Sequence, residues 1–222
     1  MLPLADCKLY TFVDTAYLNG RAPEAVAQQL CDGGSDIIQL RAKQSSVSEV
    51  RKMAEKILSI TARAGVPLII NDHLSIASDL STVSPPLSTL LGCHLGQEDF
   101  FNAGYTHTSE IKTKDSKSRT IIGLSSHSPA QAARAIASGA DYIAIGPVYA
   151  TGTKPSAKPV GLEYVDWATR NAKVPWFAIG GINLRNLGDV LAAGARRICV
   201  VSAILNSDNI AAECEKYKDQ MR

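Results

Sequence analysis

The stretch Ser138-Gly139-Ala140-Asp141-Tyr142-Ile143-Ala144-Ile145-Gly146-Pro147-Val148-Tyr149-Ala150-Thr151-Gly152-Thr153-Lys154 decides the fold. Ser138 closes a helical run that begins at Pro129, with Ser128 and Pro129 as cap and first residue. Gly139 supplies a left-handed end. Asp141 to Ile145 is a short strand, apolar enough to be buried on both faces. Gly146 and Pro147 stop it. Thr151 to Lys154 then offers nothing to a core. Two hydroxyls, a bare glycine backbone and an ammonium group form a grip for an anion. The unit is therefore helix, glycine, buried strand, polar loop.

Reading outward, the unit recurs. Strands are expected at Lys8–Val13, Asp36–Leu40, Val66–Ile70, Leu90–Leu95, Thr120–Leu124, Asp141–Ile145, Val174–Ile179 and Arg196–Val201. Helices are expected at Pro23–Asp32, Val47–Arg63, Leu74–Leu80, Pro129–Ser138, Leu162–Asn171, Leu184–Ala193 and Asp208–Met221. The segment from Asp99 to Ser118 is too poorly periodic to define a helix. Strict alternation predicts a parallel sheet, and eight units predict its closure into a (βα)8 TIM barrel. The rival is an open doubly wound sheet, but no strand opens into a G-x-G-x-x-G turn. Ser81–Ser88 and Tyr105–Ser118 read as loop insertions. No linker or internal repeat divides residues 1–222, so one domain is expected.

Composition narrows the function. A net charge of +2 without a basic block, and only 6% aromatics, argue against nucleic-acid binding. No apolar run reaches membrane length, and the first residues lack the basic and apolar regions of a signal peptide. The five cysteines are scattered without a C-x-x-C pair, which favours reduced thiols and a cytoplasmic setting. A homo-oligomer is compatible with all of this.

In such a barrel, chemistry sits where strands run into their following loops. Those positions carry Gln39-Leu40-Arg41-Ala42-Lys43, Asn71-Asp72-His73, His94 to Asp99, Ser125 to Ser128, Thr151 to Lys154, Gly180-Gly181 and Val201-Ser202. Arg41 and Lys43 lie two apart on extended chain, so they point the same way. With Lys154 they supply three cations for an anion. Asp72 and Asp99 leave two readings open, salt bridges to those cations or a hard Mg²⁺ ion shared with phosphate oxygens. Gly180-Gly181 and Val201-Ser202 follow the last two strands, a frequent phosphate site, although two glycines can also simply make a turn. Two anion sites at one mouth imply two phosphorylated small-molecule substrates, or one with phosphate at both ends. Among the histidines, His94 and His127 read as hydrogen-bonded loop holders, and His107 as solvated.

Six strings together resemble the thiamine-phosphate synthase family, within the synthase/thiazole-tautomerase superfamily. They are Ile38-Gln-Leu-Arg-Ala-Lys43, Ile69-Ile-Asn-Asp72, His94-Leu-Gly-Gln-Glu-Asp99, Gly146-Pro-Val-Tyr-Ala-Thr-Gly-Thr-Lys154, Ala178-Ile-Gly-Gly-Ile182 and Val200-Val-Ser-Ala-Ile204. The first strand, Leu9-Tyr-Thr-Phe-Val-Asp14, matches the family more loosely.

The resemblance implies a transferase of thiamine biosynthesis. It would join hydroxymethylpyrimidine pyrophosphate to thiazole phosphate and release pyrophosphate by a dissociative, Mg²⁺-assisted substitution. It places Gln39, Leu40, Arg41, Ala42, Lys43, Asn71, Ser125 and Lys154 on the pyrimidine pyrophosphate. It gives Asp72 and Asp99 to Mg²⁺, and Thr151, Thr153, one or both of Gly180 and Gly181, and Val201 and Ser202 to the thiazole phosphate, with Gly152 also among the substrate contacts. Arg41, Lys43, Ser125 and Lys154 would be catalytic. A thiazole tautomerase is the enzymatic alternative, but it needs no pyrophosphate grip. A non-catalytic phosphate sensor is the alternative of a different class.

Overall fold

The computed structural model describes residues 3–83, 91–112 and 120–222. Eight parallel strands close into a barrel in chain order. They are β1 Leu9–Asp14, β2 Ile37–Arg41, β3 Leu68–Asn71, β4 Leu91–Leu95, β5 Ile121–Ser126, β6 Tyr142–Ile145, β7 Trp176–Ile179 and β8 Ile198–Cys199. The barrel closes through β8 onto β1, with Leu9 opposite Ile198 and Tyr10 opposite Cys199.

The helices are α1 Pro23–Asp32, α2 Val47–Ala64, α3 Leu74–Val83, α4 Gln97–Asn102, α5 Pro129–Ala137, α6 Gly161–Asn171, α7 Leu187–Ala192, α8 Ser202–Leu205 and α9 Ile210–Gln220. Their starts and stops follow local chemistry. Ser46 and Glu49 form a reciprocal capping box on α2, and Gly65 ends it in the left-handed region at φ 69°. Ser128 caps α5 by accepting from Gln131 N–H, with Pro129 at its first position.

Three expectations need correction. The segment after Asp99 is not featureless: α4 forms over Gln97–Asn102, and a 3-10 turn over Thr108–Glu110. His107 is exposed, as expected, and it also caps that turn by accepting from Ser109 N–H. β8 shrinks to Ile198–Cys199; Val200 N–H still donates to the Tyr10 carbonyl, but Val201 turns away as the cap of α8, a helix that the periodicity misses. α7 begins at Leu187, since Asn183 and Asn186 first build a turn. Of the two expected insertions, 84–88 and 113–118 lie outside the described residues.

The barrel interior is unusually aromatic. Tyr10, Phe177 and Tyr142 meet edge to face with centroids 5.3–5.9 Å apart, and Phe12 stacks on Tyr10. Gly123 on β5 makes room for this cluster. A Cβ there would fall 2.1 Å from Cζ of Tyr142. The cluster plugs the barrel from below and forms the floor of the cavity above it. All five thiols are unpaired, and no helix among the described residues is long and apolar enough to cross a membrane.

Candidate active site

A cavity of 570 Å³ opens at the carboxyl ends of the strands. Gln39, Arg41, Lys43, Asn71, Asp72, Asp99, Ser125, Thr151, Thr153, Lys154, Gly180, Gly181, Val201 and Ser202 all line it. Of the residues expected at the site, only Leu40, Ala42 and Gly152 do not. The reason for the first two is strand alternation. Gln39, Arg41 and Lys43 face the mouth, whereas Leu40 and Ala42 are buried on the other side. Gly152 is exposed, and a Cβ built on it would lie 3.8 Å from the Tyr17 hydroxyl.

The three cations differ in how they are held. Arg41 Nη1 donates to Asp14 Oδ2 at 2.7 Å, and Asp14 is buried. Such a carboxylate cannot be left unpaired cheaply, so it fixes the guanidinium. Lys43 Nζ lies 2.5 Å from Asp72 Oδ2, in a more exposed pair. Lys154 has no carboxylate partner among the described residues; its Nζ sits 3.5 Å from His127 Nε2. His127 donates from Nδ1 to the Gly146 carbonyl, and its Nε2 is the atom that faces the ammonium. His127 is thus the loop holder expected of it, and Lys154 carries the least compensated positive charge of the three.

The far end of the mouth is built from backbone. Gly180 and Gly181 have φ of 103° and 67°. Cβ atoms there would fall 2.4 Å from Pro147 Cβ and 2.6 Å from the Ala150 carbonyl. Both glycines are therefore required for the loop after β7 to lie against the loop after β6. The Gly180 carbonyl accepts from Tyr149 N–H, and the Gly181 carbonyl from Asn186 Nδ2. Because C=O and the next N–H of a trans peptide point oppositely, the Gly181 and Ile182 N–H groups face away from those partners. Val201 and Ser202 begin α8 beside them, so its first N–H groups add to the donors at this end.

The floor carries a polar string of which sequence reasoning singled out only Gln39 and His94, the latter as a loop holder; its hydrogen bond in fact goes to Tyr142 on β6. Gln39 Nε2 donates to Tyr10 Oη at 2.6 Å. Tyr10 and Tyr142 hydroxyls lie 2.9 Å apart, and Tyr142 Oη is 3.1 Å from His94 Nδ1. Either phenol can donate in the Tyr10–Tyr142 bond, and the His94 tautomer sets the direction of its bond to Tyr142. Burial keeps both phenols protonated and depresses the His94 imidazole to about 4. Only the alternation of Tyr10 and Phe12 on β1 hints at this floor in the sequence.

This depression has a measurable consequence. Between about pH 6.5 and 4 the unfolded ring is protonated and the folded ring is not. The unfolded state then binds more protons, so stability rises with pH across that window, is fully present above it and is lost as pH falls. Allowing for the ring edge that faces the cavity, we expect a loss of about 2 kcal/mol. Urea unfolding at pH 7 and pH 4 should show this loss reduced in His94→Gln. An identical pH dependence in both proteins would mean that the ring charges freely inside the fold.

Asp72 and Asp99 are the metal candidates. Both line the cavity, and Asp99, in the first turn of α4, has no ion-pair partner among the described residues. No cluster of three or more His, Cys, Asp or Glu side chains suited to a metal occurs among the described residues. Two carboxylates are too few for an all-protein cage. They are the right number for Mg²⁺, which keeps waters and takes phosphate oxygens. The donor set fits that ion, with Asp72 shared between it and Lys43.

The family model described as thiamine monophosphate synthase matches residues 9–204. The thiamine-phosphate synthase of Chloroflexus aurantiacus is 34% identical over 216 residues, 97% of this chain and 93% of that one. The thiamine-phosphate synthase of Thermus thermophilus is 42% identical over 179 residues, 79% of this chain and 77% of that one. Among solved structures, thiamine phosphate pyrophosphorylase from Pyrococcus furiosus superposes with a TM-score of 0.78 at 24% identity. That match covers 98% of this chain and 96% of the other, and speaks to the fold.

Proposed function

Because this chain belongs to the thiamine monophosphate synthase family, we propose a division of its cavity between two substrates of thiamine phosphate formation. The pyrimidine pyrophosphate lies against Arg41, Lys43, Asn71, Ser125 and Lys154, with Gln39 at its ring. The thiazole phosphate lies against Thr151, Thr153, Gly180, Gly181, Val201 and Ser202. The observation that carries this reading is that both anion-binding groups line one cavity. Its volume of 570 Å³ lies within the range of sites that enclose small ligands.

The reaction proposed is a substitution at the pyrimidine methylene carbon. The bond to the pyrophosphate oxygen breaks, and its electron pair leaves with pyrophosphate. The lone pair of the thiazole nitrogen then forms the new C–N bond. No proton changes hands, which agrees with a floor histidine held neutral by burial. The protein's task is alignment and charge stabilisation. Arg41, Lys43 and Lys154 stabilise the departing charge, and the aromatic floor keeps water from the electrophilic carbon. Asp72 and Asp99 would hold Mg²⁺, which when bound neutralises charge on the leaving group.

Incubation with both substrates and Mg²⁺ should yield thiamine phosphate and pyrophosphate in equal amounts. Either substrate alone should yield no thiamine phosphate. Thiazole isomerisation without condensation would replace this reading with the tautomerase.

A further inference from the structure

We propose that Arg21, acting with Tyr17, is a positioning residue that braces the two anion-binding ends of the cavity against each other. This rests on the assignment of phosphate to the β7–β8 end made above. No residue from Thr15 to Arg21 lines the cavity. Yet the loop after β1 touches three elements that do.

Arg21 is half-buried and has no carboxylate partner among the described residues. Its guanidinium is spent on backbone carbonyls. Nε donates to Leu18 at 2.8 Å, Nη1 to Ser207 at 3.0 Å, and Nη2 to Tyr17 at 3.1 Å and to Leu205. Tyr17 ends the 3-10 turn Thr15–Tyr17 and Leu18 follows as its C-cap, while Leu205 ends α8 and Ser207 lies just past its C-cap Asn206. Last-turn carbonyls of a helix have no partner within it and carry its negative end. One planar fork therefore caps two short helices at once, a geometry an ammonium cannot reproduce. A helix of four residues cannot hold itself. Val201 and Ser202 at the other end of α8 face the cavity, so Arg21 fixes from behind the element that presents the phosphate donors.

The second arm starts from the same turn. Tyr17 Oη lies 3.1 Å from Thr153 Oγ1, and Thr153 N–H donates to Thr151 Oγ1 at 3.3 Å. Both threonines line the cavity from the β6 side. The turn itself is rooted at Asp14, which accepts from Ala16 N–H at 3.0 Å and pairs with Arg41. Between Asp14 and Arg21, one loop thus holds a pyrophosphate cation, the threonine loop and the phosphate helix.

The test is two-substrate steady-state kinetics on Arg21→Ala, Arg21→Lys, Tyr17→Phe and the Arg21→Ala/Tyr17→Phe double variant, with Ser202→Ala as a direct probe of the phosphate end. Arg21→Ala is expected to raise KM for the thiazole phosphate about tenfold, and Tyr17→Phe about threefold. The double variant should fall short of the product of the two, because they share one brace. Arg21→Lys should not rescue, whereas added guanidinium should partly rescue Arg21→Ala. Tyr17→Phe removes a single hydroxyl, so it stays informative even if Arg21→Ala folds poorly. A raised KM in Ser202→Ala with normal KM in Tyr17→Phe and Arg21→Ala overturns the brace alone. Unchanged KM in all of them overturns the phosphate assignment and the brace with it.

Discussion

Lys154→Ala is expected to lower turnover by about a thousandfold while leaving the fold intact. Its position supports a large effect. Arg41 and Lys43 are each matched to a carboxylate, so much of their field is already answered before substrate arrives. Among the described residues, Lys154 has only Nε2 of His127 beside it, 3.5 Å away. Its charge is left for the anion that enters, and above all for the extra charge that develops as pyrophosphate departs. Contacts stronger in the transition state than in the ground state appear in kcat and not only in KM. The effect should therefore fall on kcat, measured by single-turnover formation of thiamine phosphate. An exposed side chain on a loop contributes little to stability, so thermal unfolding should be nearly unchanged. Near-normal turnover in this variant would remove Lys154 from the chemistry.

The sequence was legible where chemistry repeats and illegible where it is local. Eight apolar runs, four of them (β2, β3, β6 and β8) preceded by a helix end with glycine, specify a parallel sheet, and the closed order β1 to β8 follows. The polar residues at strand ends are brought together for a related reason, since one barrel end collects them all. Leu40 and Ala42 show the limit of reading a motif as a block. They stand between cavity-facing neighbours, but alternation turns their side chains into the wall. The bounds of β8 and the existence of α8 were unreadable by period because each is shorter than one period can establish. Asp14, Tyr17 and Arg21 carry no motif at all. Their importance comes from partners at Arg41, Thr153, Leu205 and Ser207, and no spacing in the chain encodes those contacts. The two glycines at 180 and 181 were ambiguous between turn and cradle. The structure makes them a turn by necessity, and that turn aims the amides away from the β6 loop.

Asp99→Ala should separate a metal ligand from a simple salt-bridge partner. Were Asp99 only a counter-ion to the cations, its removal would leave more positive charge at the mouth and tighten an anionic substrate. As a ligand of Mg²⁺ it should do the opposite. Asp72 already shares its carboxylate with Lys43, so the ion would depend on Asp99 for its one uncommitted protein oxygen pair. We expect Asp99→Ala to raise the Mg²⁺ concentration for half-maximal rate by about a hundredfold and to lower turnover by orders of magnitude at ordinary Mg²⁺. Direct titration of Mg²⁺ in the presence of pyrophosphate should show the same loss of affinity, independently of activity. Chelation of the ion should stop the unaltered enzyme. Asp99→Asn should lie between the two, since an amide oxygen can still coordinate but brings no charge. Tighter pyrophosphate binding in Asp99→Ala, with an unchanged Mg²⁺ requirement, would return this carboxylate to the salt-bridge reading and leave Asp72 as the sole candidate.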